Sequence, residues 1–333
     1  MLEDIKGQKK AKAILQNLIL RNRFPHSLLF YGPSGCGKFL TAKSIVKYFN
    51  CQAQDPEMKG KDNCSNCHRI DEEIFPDLFV VRKEKKEIKI EQIRDMIRQI
   101  NLKPFESQYK FFIIDGADAM NLSSENSFLK TLEEPLPNNF IILIAHNLNS
   151  LLDTIISRCM KIQFNNLKVD TIADLLNEKE KIDKKKSKQI AFLSNGSLEK
   201  AYELLEENNV EKIFEKFEFF LSSVGPSRLD IPAFEKELTE VSKWAVTMIE
   251  NILELFLLYF IDWIYDQKYA ISKSEIFKNY LNINLEYIKF KSYNLLISKI
   301  IEARFQVIST NVNIKLLLES LLLTIRDILN ESR

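Results

Sequence analysis

Glycine is scarce in this chain, and several features that would place it in other protein classes are missing. Its 47 Lys and Arg residues nearly balance its 46 Asp and Glu residues, which argues against a strongly basic surface enclosing nucleic acid. The most apolar segment, residues 252–261, contains Glu254, so we expect no membrane span. The N-terminus has neither a basic region nor an apolar run of the secretory type, so we expect a cytoplasmic protein.

The eight glycines are distributed unevenly, because three of them lie within six positions, directly after the apolar run at residues 28–31. A strand followed by a glycine-rich turn and a helix can bind phosphate, since backbone N–H groups and a helix N-terminus surround its oxygens. The segment reads Gly32-Pro33-Ser34-Gly35-Cys36-Gly37-Lys38-Phe39. We interpret it as a phosphate-binding loop (P-loop), with a glycine-rich turn that binds no ligand as the alternative.

The residue after the P-loop lysine departs from the usual pattern. Lys38 would reach the β and γ phosphates of a nucleotide, and a following Ser or Thr normally supplies the hydroxyl that holds Mg²⁺. Phe39 stands at that position and cannot ligate a metal ion. The loop therefore predicts a nucleotide-type fold without predicting that the nucleotide is hydrolysed.

A second apolar run, residues 111–114, ends in Asp115. Such a run is typical of a parallel strand buried on both faces, and an acid at its end would orient Mg²⁺ or its water shell. In hydrolysing sites of this kind a Glu normally follows to polarise the attacking water, but here Gly116 follows. Because the metal hydroxyl and the general base are both missing, we predict that hydrolysis is absent. A plain Asp-Gly turn after a strand is the alternative.

The cysteines indicate either a metal site or reduced thiols, since disulfides are rare in the cytosol. Cys64 and Cys67 form a CxxC pair, and Cys51 lies thirteen positions upstream. Tetrahedral zinc requires four ligands, but Ile70 occupies the position where a fourth cysteine is expected. His68 or Asp71 would have to complete the site, and a metal-free loop is the alternative.

Strand and helix patterns alternate in the first half of the chain, whose 333 residues are enough for two or three domains. Strand candidates lie at residues 28–31, 78–81, 111–115 and 140–145, with helices between them. This alternation predicts the α/β class, a parallel sheet covered by helices. Beyond residue 164 helical patterns follow one another, at roughly residues 168–179, 184–194, 197–222 and 233–268 and then to the end.

The order of motifs resembles that of bacterial clamp-loader subunits of the DNA polymerase III complex, which belong to the AAA+ superfamily. Besides the P-loop and the Asp115 strand, the matching segments are Gly7-Gln8, Pro25-His26-Ser27-Leu28-Leu29-Phe30, Lys89-Ile90-Glu91-Gln92-Ile93-Arg94, Leu132-Glu133-Glu134-Pro135, Ser157-Arg158-Cys159 and the segment from Asn311 to Glu319. Each motif is weak evidence alone, but their common order is specific.

The resemblance implies three domains. Residues 1–165 would form an AAA+ module with a P-loop and a RecA-like parallel sheet, carrying a Cys-containing insertion at about residues 51–70. A small helical lid would follow at residues 166–208, and an all-α C-terminal collar domain at residues 209–333 would pack with sister subunits. The family's Cys segment binds zinc through four cysteines, one of which is missing here.

The resemblance also implies roles for single residues. Arg158, in the Ser157-Arg158-Cys159 motif, would be an arginine finger that enters a neighbour's nucleotide site and neutralises charge on the transferred phosphoryl group. A polar sensor residue is expected after the strand at residues 140–145, and of His146 and Asn147 the better candidate is Asn147. In the lid, Glu199 stands where active members carry a nucleotide-sensing Arg, and it would repel phosphate.

A chain that carries an arginine finger but has no hydrolytic site of its own resembles the delta-prime type of clamp-loader subunit, which does not hydrolyse ATP. The resemblance therefore implies a subunit that helps to load the sliding clamp onto primed DNA. Its partners would be gamma/tau-type and delta-type subunits, with no membrane involved. Zinc and a non-hydrolysed ATP or ADP are the cofactors to test.

Two other functions stay open from the sequence. One is an ATP-hydrolysing motor of the gamma/tau type, which would have to hold Mg²⁺ with Thr41 or with water because Phe39 cannot. The other is a zinc-dependent nucleic-acid-binding protein, for which the three cysteines at positions 51, 64 and 67 are the only evidence.

Overall fold

The computed structural model describes residues 2, 5–55, 58–61, 64–84, 87–224, 231–241, 244–269, 277, 290–309 and 312–330. Asn311, which begins the last matching segment, lies outside them. The chain divides into two compact units: the first comprises Met1–Glu180 and Ser194–Lys200, and the second comprises Lys181–Leu193 and Ala201–Arg333. No helix in the described part of the chain has the length and apolar character needed to cross a membrane.

A five-stranded parallel sheet forms the centre of the first unit. Its strands are β1 (Ser27–Tyr31), β2 (Leu78–Arg82), β3 (Lys110–Asp115), β4 (Asn139–Ala145) and β5 (Met160–Gln163). Their order in space is β2-β3-β4-β1-β5, and every neighbouring pair is parallel. The predicted α/β sheet is thus confirmed, and the carboxyl ends of β1 and β3 lie on the same edge, with β4 between the two strands.

Apolar residues alternate between the two faces of this sheet. In β3, Phe111 and Ile113 pack into one buried cluster, while Phe112 and Ile114 pack into another. Burial on both faces explains why the central strands read as continuous apolar runs. The sequence did not predict β5. Only Ile162 of this strand is buried, so its sequence contains no continuous apolar run.

Seven α-helices accompany the sheet in the described part of the first unit. They are α1 (Lys9–Leu20), α2 (Lys38–Asn50), α3 (Ser65–Asp71), α4 (Ile90–Ile100), α5 (Leu122–Glu133), α6 (Asp153–Ile156) and α7 (Val169–Glu180). Apolar residues of α1 to α3 belong to the first buried cluster, and those of α4 to α6 to the second. The sheet is therefore the middle layer of three.

None of the described residues of the second unit forms a strand. The remaining helices are α8 (Lys184–Leu193), α9 (Leu198–Glu207), α10 (Val210–Val224), α11 (Ile231–Val241), α12 (Val246–Tyr269), α13 (Phe290–Ser309) and α14 (Ile314–Asn330). The helix expected over residues 197–222 is divided, because Asn208 adopts a left-handed conformation with φ 47°. Likewise, the one expected over residues 233–268 is divided into α11 and α12.

Aromatic side chains form the core of the second unit. The ring of Phe217 in α10 lies 5.1 Å from that of Phe256 and 6.0 Å from that of Tyr259, both in α12, and 6.1 Å from that of Phe277. All four residues are buried. Because large aromatic side chains bury much apolar area, this cluster stabilises the helical unit.

Candidate functional site

The P-loop connects β1 directly to α2, as its sequence predicts. Gly32, Gly35 and Gly37 all have positive φ, at 140°, 64° and 93°. At Gly32 the backbone also approaches closely, since an added Cβ would lie 2.1 Å from the Phe164 carbonyl oxygen. Only glycine allows both the positive φ and the close approach at position 32, which helps to explain why glycines cluster in this loop although the chain has few of them.

Lys38 turns back into its own loop. It is only 5% exposed, and its Nζ donates hydrogen bonds to the carbonyl oxygen of Gly32, at 2.7 Å, and to that of Pro33. Burial lowers the pKa of Lys38, whereas the nearby Cys36 thiol and the carboxylates of Asp115 and Asp118 act in the opposite direction. The loop therefore satisfies its lysine with its own carbonyl groups.

The segment at residues 197–199 contacts the P-loop through two hydrogen bonds. The Leu198 N–H donates to the Gly35 carbonyl oxygen at 3.0 Å, and the Ser34 hydroxyl donates to the Glu199 carboxylate at 2.6 Å. A Cβ at Gly35 would lie 2.2 Å from Ser197 Oγ, so glycine also permits this approach. The carboxylate that the sequence predicts to repel phosphate thus lies directly against the loop.

At the position of the metal hydroxyl, the Phe39 ring contacts a guanidinium group. Arg82 Cζ lies 4.7 Å from the ring centroid, and Arg82 Nε lies 3.7 Å from Asp115 Oδ2. Burial raises the pKa of Asp115, and the positive charge of Arg82 opposes that rise. Since Phe39 has no ligand atom and Asp115 already faces a cation, these residues do not fit Mg²⁺.

Thr41, the substitute metal ligand of the motor hypothesis, is not available. Its side chain is buried, and its hydroxyl donates to the Gly37 carbonyl oxygen at 2.7 Å. Asn147, the predicted sensor, accepts a hydrogen bond from the Asn149 N–H at 3.0 Å, within its own turn. The neighbouring His146 faces the loop after Asp115, with Nδ1 3.4 Å from Asp118 Oδ2.

Three of the five cysteines come together. The sulfur atoms of Cys51, Cys64 and Cys67 all lie within 4.8 Å of one another, and those of Cys51 and Cys64 are 3.9 Å apart. Burial raises the pKa of the Cys67 thiol, and binding of a metal ion would release its proton. Three thiolates match the donor preference of zinc, and these cysteines would hold it.

Neither residue proposed as a fourth ligand belongs to this cluster. His68 is 70% exposed in its side chain, and its Nδ1 lies 3.5 Å from Glu72 Oε2. Asp71 pairs with Lys47, and Ile70 is completely buried in the core under the sheet. In this conformation neither side chain lies with the three thiols, and a fourth ligand at His68 or Asp71 stays a prediction.

Arg158 lies on the surface directly after the short helix α6. Its guanidinium donates to the Thr154 carbonyl oxygen at 2.8 Å and to the Glu133 carboxylate at 2.5 Å. Ser157 caps the helix through its hydroxyl, and Cys159 is buried, which raises the pKa of its thiol to about 12. In this motif only Arg158 therefore presents a charged group to solvent.

Comparison with known proteins adds independent information. Residues 7–168 match the model of a family described as "DNA polymerase III, delta subunit". The DNA polymerase III subunit delta' of Bacillus subtilis is 36% identical over 173 residues, which are 52% of this chain and 52% of that protein. Residues 7–168 therefore belong to the clamp-loader family of AAA+ proteins.

Other clamp-loader proteins show similar matches. The tau subunit of Bacillus subtilis is 30% identical over 210 residues, which are 62% of this chain and 37% of that protein. A gamma subunit-related protein from Thermotoga maritima has a solved structure that covers 95% of this chain and 99% of that chain, with 18% identity and a TM-score of 0.44. The chain thus matches about half or less of the length of these two Bacillus relatives.

Sequence patterns did not identify two residues that contact the candidate site residues. Arg82 lies one position beyond the predicted strand at residues 78–81, and an Arg at the carboxyl end of a parallel strand is a signal that was available. Glu133 belongs to a matching motif, but no pattern indicates that it contacts Arg158, 25 residues away. Such pairings depend on the packing of separate elements.

Proposed function

We propose that this chain is a non-hydrolysing clamp-loader subunit that donates Arg158 to the nucleotide site of a neighbouring ATPase subunit. The single observation that carries the proposal is the contrast between the two sites. The chain's own nucleotide site lacks a metal hydroxyl at Phe39 and a general base at Gly116, whereas its Ser157-Arg158-Cys159 motif is complete and places a guanidinium at the surface, paired with Glu133. An exposed arginine is what an acceptor site on another subunit requires.

The chemistry of the P-loop supports the same conclusion. Lys38 is bonded to the carbonyl oxygens of its loop, and Glu199 brings negative charge to Ser34. A bound triphosphate would have to displace the Lys38 side chain from these carbonyl oxygens, and the Glu199 carboxylate would repel it. ATP and ADP are therefore poor ligands of this loop, and an autonomous motor of the gamma/tau type is disfavoured.

The partners follow from the relatives. The matched proteins are named as delta', tau and gamma subunits of DNA polymerase III. We propose that this chain assembles with gamma/tau-type and delta-type subunits through its helical C-terminal region. The complex would place a sliding clamp on primed DNA.

A structural zinc ion is the second part of the proposal. The cysteine cluster spans the end of α2 and the start of α3, and zinc bound there would tie these two helices together. A nucleic-acid-binding zinc protein is not favoured, because these thiols are the only evidence for it.

The decisive experiment is a mixed-complex assay with an Arg158→Ala variant. The complex is assembled from this chain with gamma/tau-type and delta-type subunits, and ATP turnover is measured with clamp and primed DNA. Loss of an arginine finger slows its acceptor site by ~10³-fold or more, so the turnover of that site should disappear from the total. Arg98→Ala, at another exposed arginine, is the matched control and should leave turnover unchanged.

Two results would contradict the proposal. Turnover and clamp loading that do not change in the Arg158→Ala complex would exclude the finger role. ATP hydrolysis by the isolated chain that is abolished by Lys38→Ala would show that the chain is itself a motor.

A further inference from the structure

Arg82 contacts both positions from which a P-loop protein normally holds its divalent cation. It is the last residue of β2, in register with Asp115 of β3, so both side chains leave the same edge of the sheet. Its Nε lies 3.7 Å from the Asp115 carboxylate, and its Cζ lies 4.7 Å from the centroid of the Phe39 ring. Phe39 stands where the metal-binding hydroxyl would be, and Asp115 where the metal-orienting acid would be.

Further contacts fix the guanidinium in this place. Glu73 accepts two hydrogen bonds from it, at 2.7 Å from Nη1 and 2.8 Å from Nη2. Such a two-pronged pair is geometrically specific as well as strong. Glu73 itself has φ 60°, a conformation that non-glycine residues rarely adopt, so its carboxylate is presented from a constrained backbone.

We propose that the Arg82 guanidinium is a built-in replacement for the divalent cation of the nucleotide site. The ring of Phe39, which cannot bind a metal ion, is a good partner for a planar cation, and Asp115 keeps a positive neighbour. A metal ion at this position would be repelled by the fixed positive charge. The inference concerns only the metal position and holds whether or not Arg158 acts on another subunit.

The test is a comparison of thermal unfolding with and without added Mn²⁺ or Mg²⁺ at constant ionic strength, using the full chain and no chelator so that the proposed zinc site stays intact. The wild-type midpoint should be the same under both conditions. Arg82→Ala removes the cation that Asp115 and Glu73 share and leaves Glu73 with Lys43 alone, at 3.8 Å, so its midpoint without added metal ion should be lower by ~2–4 °C. Millimolar Mn²⁺ should restore part of this loss, because the ion can then occupy the vacated position.

Further variants make the test specific. Asp115→Asn combined with Arg82→Ala should abolish the restoration by Mn²⁺, and Arg98→Ala should show neither the loss nor the restoration. Phe39→Thr alone supplies a hydroxyl but retains Arg82, so we expect no response to Mn²⁺. This last variant keeps the inference testable even if Arg82→Ala does not fold.

Three results would overturn the inference. They are stabilisation of the wild-type chain by Mn²⁺, a response of Phe39→Thr to Mn²⁺ while Arg82 is present, and an Arg82→Ala variant that folds as stably as wild type and ignores the ion. Binding of Mn²⁺ followed by electron paramagnetic resonance gives an independent readout of the same comparison.

Discussion

The Ser34 hydroxyl donates a hydrogen bond to the Glu199 carboxylate, with Oγ and Oε2 2.6 Å apart. Ser34 lies in the P-loop and Glu199 in the first turn of α9, so the bond joins two segments 165 residues apart within one compact unit. A carboxylate is held where a nucleotide would bring negative charge. The segment at residues 197–199 and the loop therefore satisfy each other without a ligand.

Removing this carboxylate should improve nucleotide binding. In Glu199→Ala the repulsion between the side chain and phosphate is gone, and we expect the affinity for ATP in EDTA to rise about threefold to tenfold, a modest effect because the group is exposed. Fluorescence titration with a labelled nucleotide would measure it. Glu206→Ala, at an exposed position of the same helix, is the control, and an unchanged or lower affinity of Glu199→Ala would refute the role of its charge.

The cysteine cluster predicts a metal stoichiometry. Purified chain should contain about one zinc per molecule, and replacement of Cys51, Cys64 or Cys67 by Ser should lower this content strongly, because a two-thiolate site binds zinc much more weakly. Metal analysis after gel filtration would show this. The buried Cys159 lies outside the cluster, so Cys159→Ser should retain zinc, and a zinc-free wild-type chain would contradict the site.

Glu125 predicts a pH dependence of stability. This buried residue of α5 accepts a hydrogen bond from the Leu152 N–H at 3.1 Å, but burial is the larger effect and raises its pKa above the ordinary 4.5. The folded state therefore holds the proton more tightly, and the neutral carboxyl stabilises the protein only at low pH. That contribution is lost as the pH rises from 4.5 through the folded-state pKa.

Glu125→Gln tests this directly. The amide is neutral at every pH and keeps an oxygen for the Leu152 N–H, so the variant should be more stable than wild type at pH 7. Its advantage should shrink as the pH falls towards 4.5. Urea denaturation across this range, with the exposed Glu206→Gln as control, would measure the difference. A Gln variant that is less stable at all pH values would show that the charge is not the cause.

The C-terminal helices predict an assembly surface. On α13, Ile301, Phe305 and Ile308 lie on one face at helical spacing and are exposed, Phe305 by 68%. Phe305→Ser should leave the thermal midpoint of the isolated chain nearly unchanged but weaken its association with sister subunits.

The neighbouring core position provides the contrast for that experiment. Ile300 is completely buried, so Ile300→Ala should cost ~2–5 kcal/mol of folding free energy, and Phe305→Ser should not. Analytical ultracentrifugation of the mixed complex and thermal denaturation of the chain alone separate the two effects. Association that is unaffected by Phe305→Ser would exclude this face from the interface.

Local patterns were sufficient for four of the five strands and for the P-loop. The runs that end at Tyr31, Asp115 and Ala145 became β1, β3 and β4, because strands covered on both faces need apolar residues at every position. The edge strand β5 gave no such signal. The break at Asn208 was also missed, since polar residues fit both a helix surface and a helix end.

Sequence patterns did not predict the contacts between residues that lie far apart in the chain. The spacing of Cys51, Cys64 and Cys67 suggested a metal site, but only the fold shows that Ile70 belongs to the core and that His68 pairs with Glu72. Similarly, the contact between Arg158 and Glu133 arises because α5 and α6 pack on the same face of the sheet.

The order of the amino acids alone established which chemical groups are absent: Phe39 has no hydroxyl and Gly116 has no base, and no folding can supply them. The tertiary structure decided which side chains lie next to these positions. Arg82 meets Asp115 because β2 and β3 pair in parallel register, and Glu199 meets Ser34 because the segment at residues 197–199 returns to the P-loop. Composition fixes the available chemistry, whereas the proximity of distant charges depends on how strands pair and helices pack.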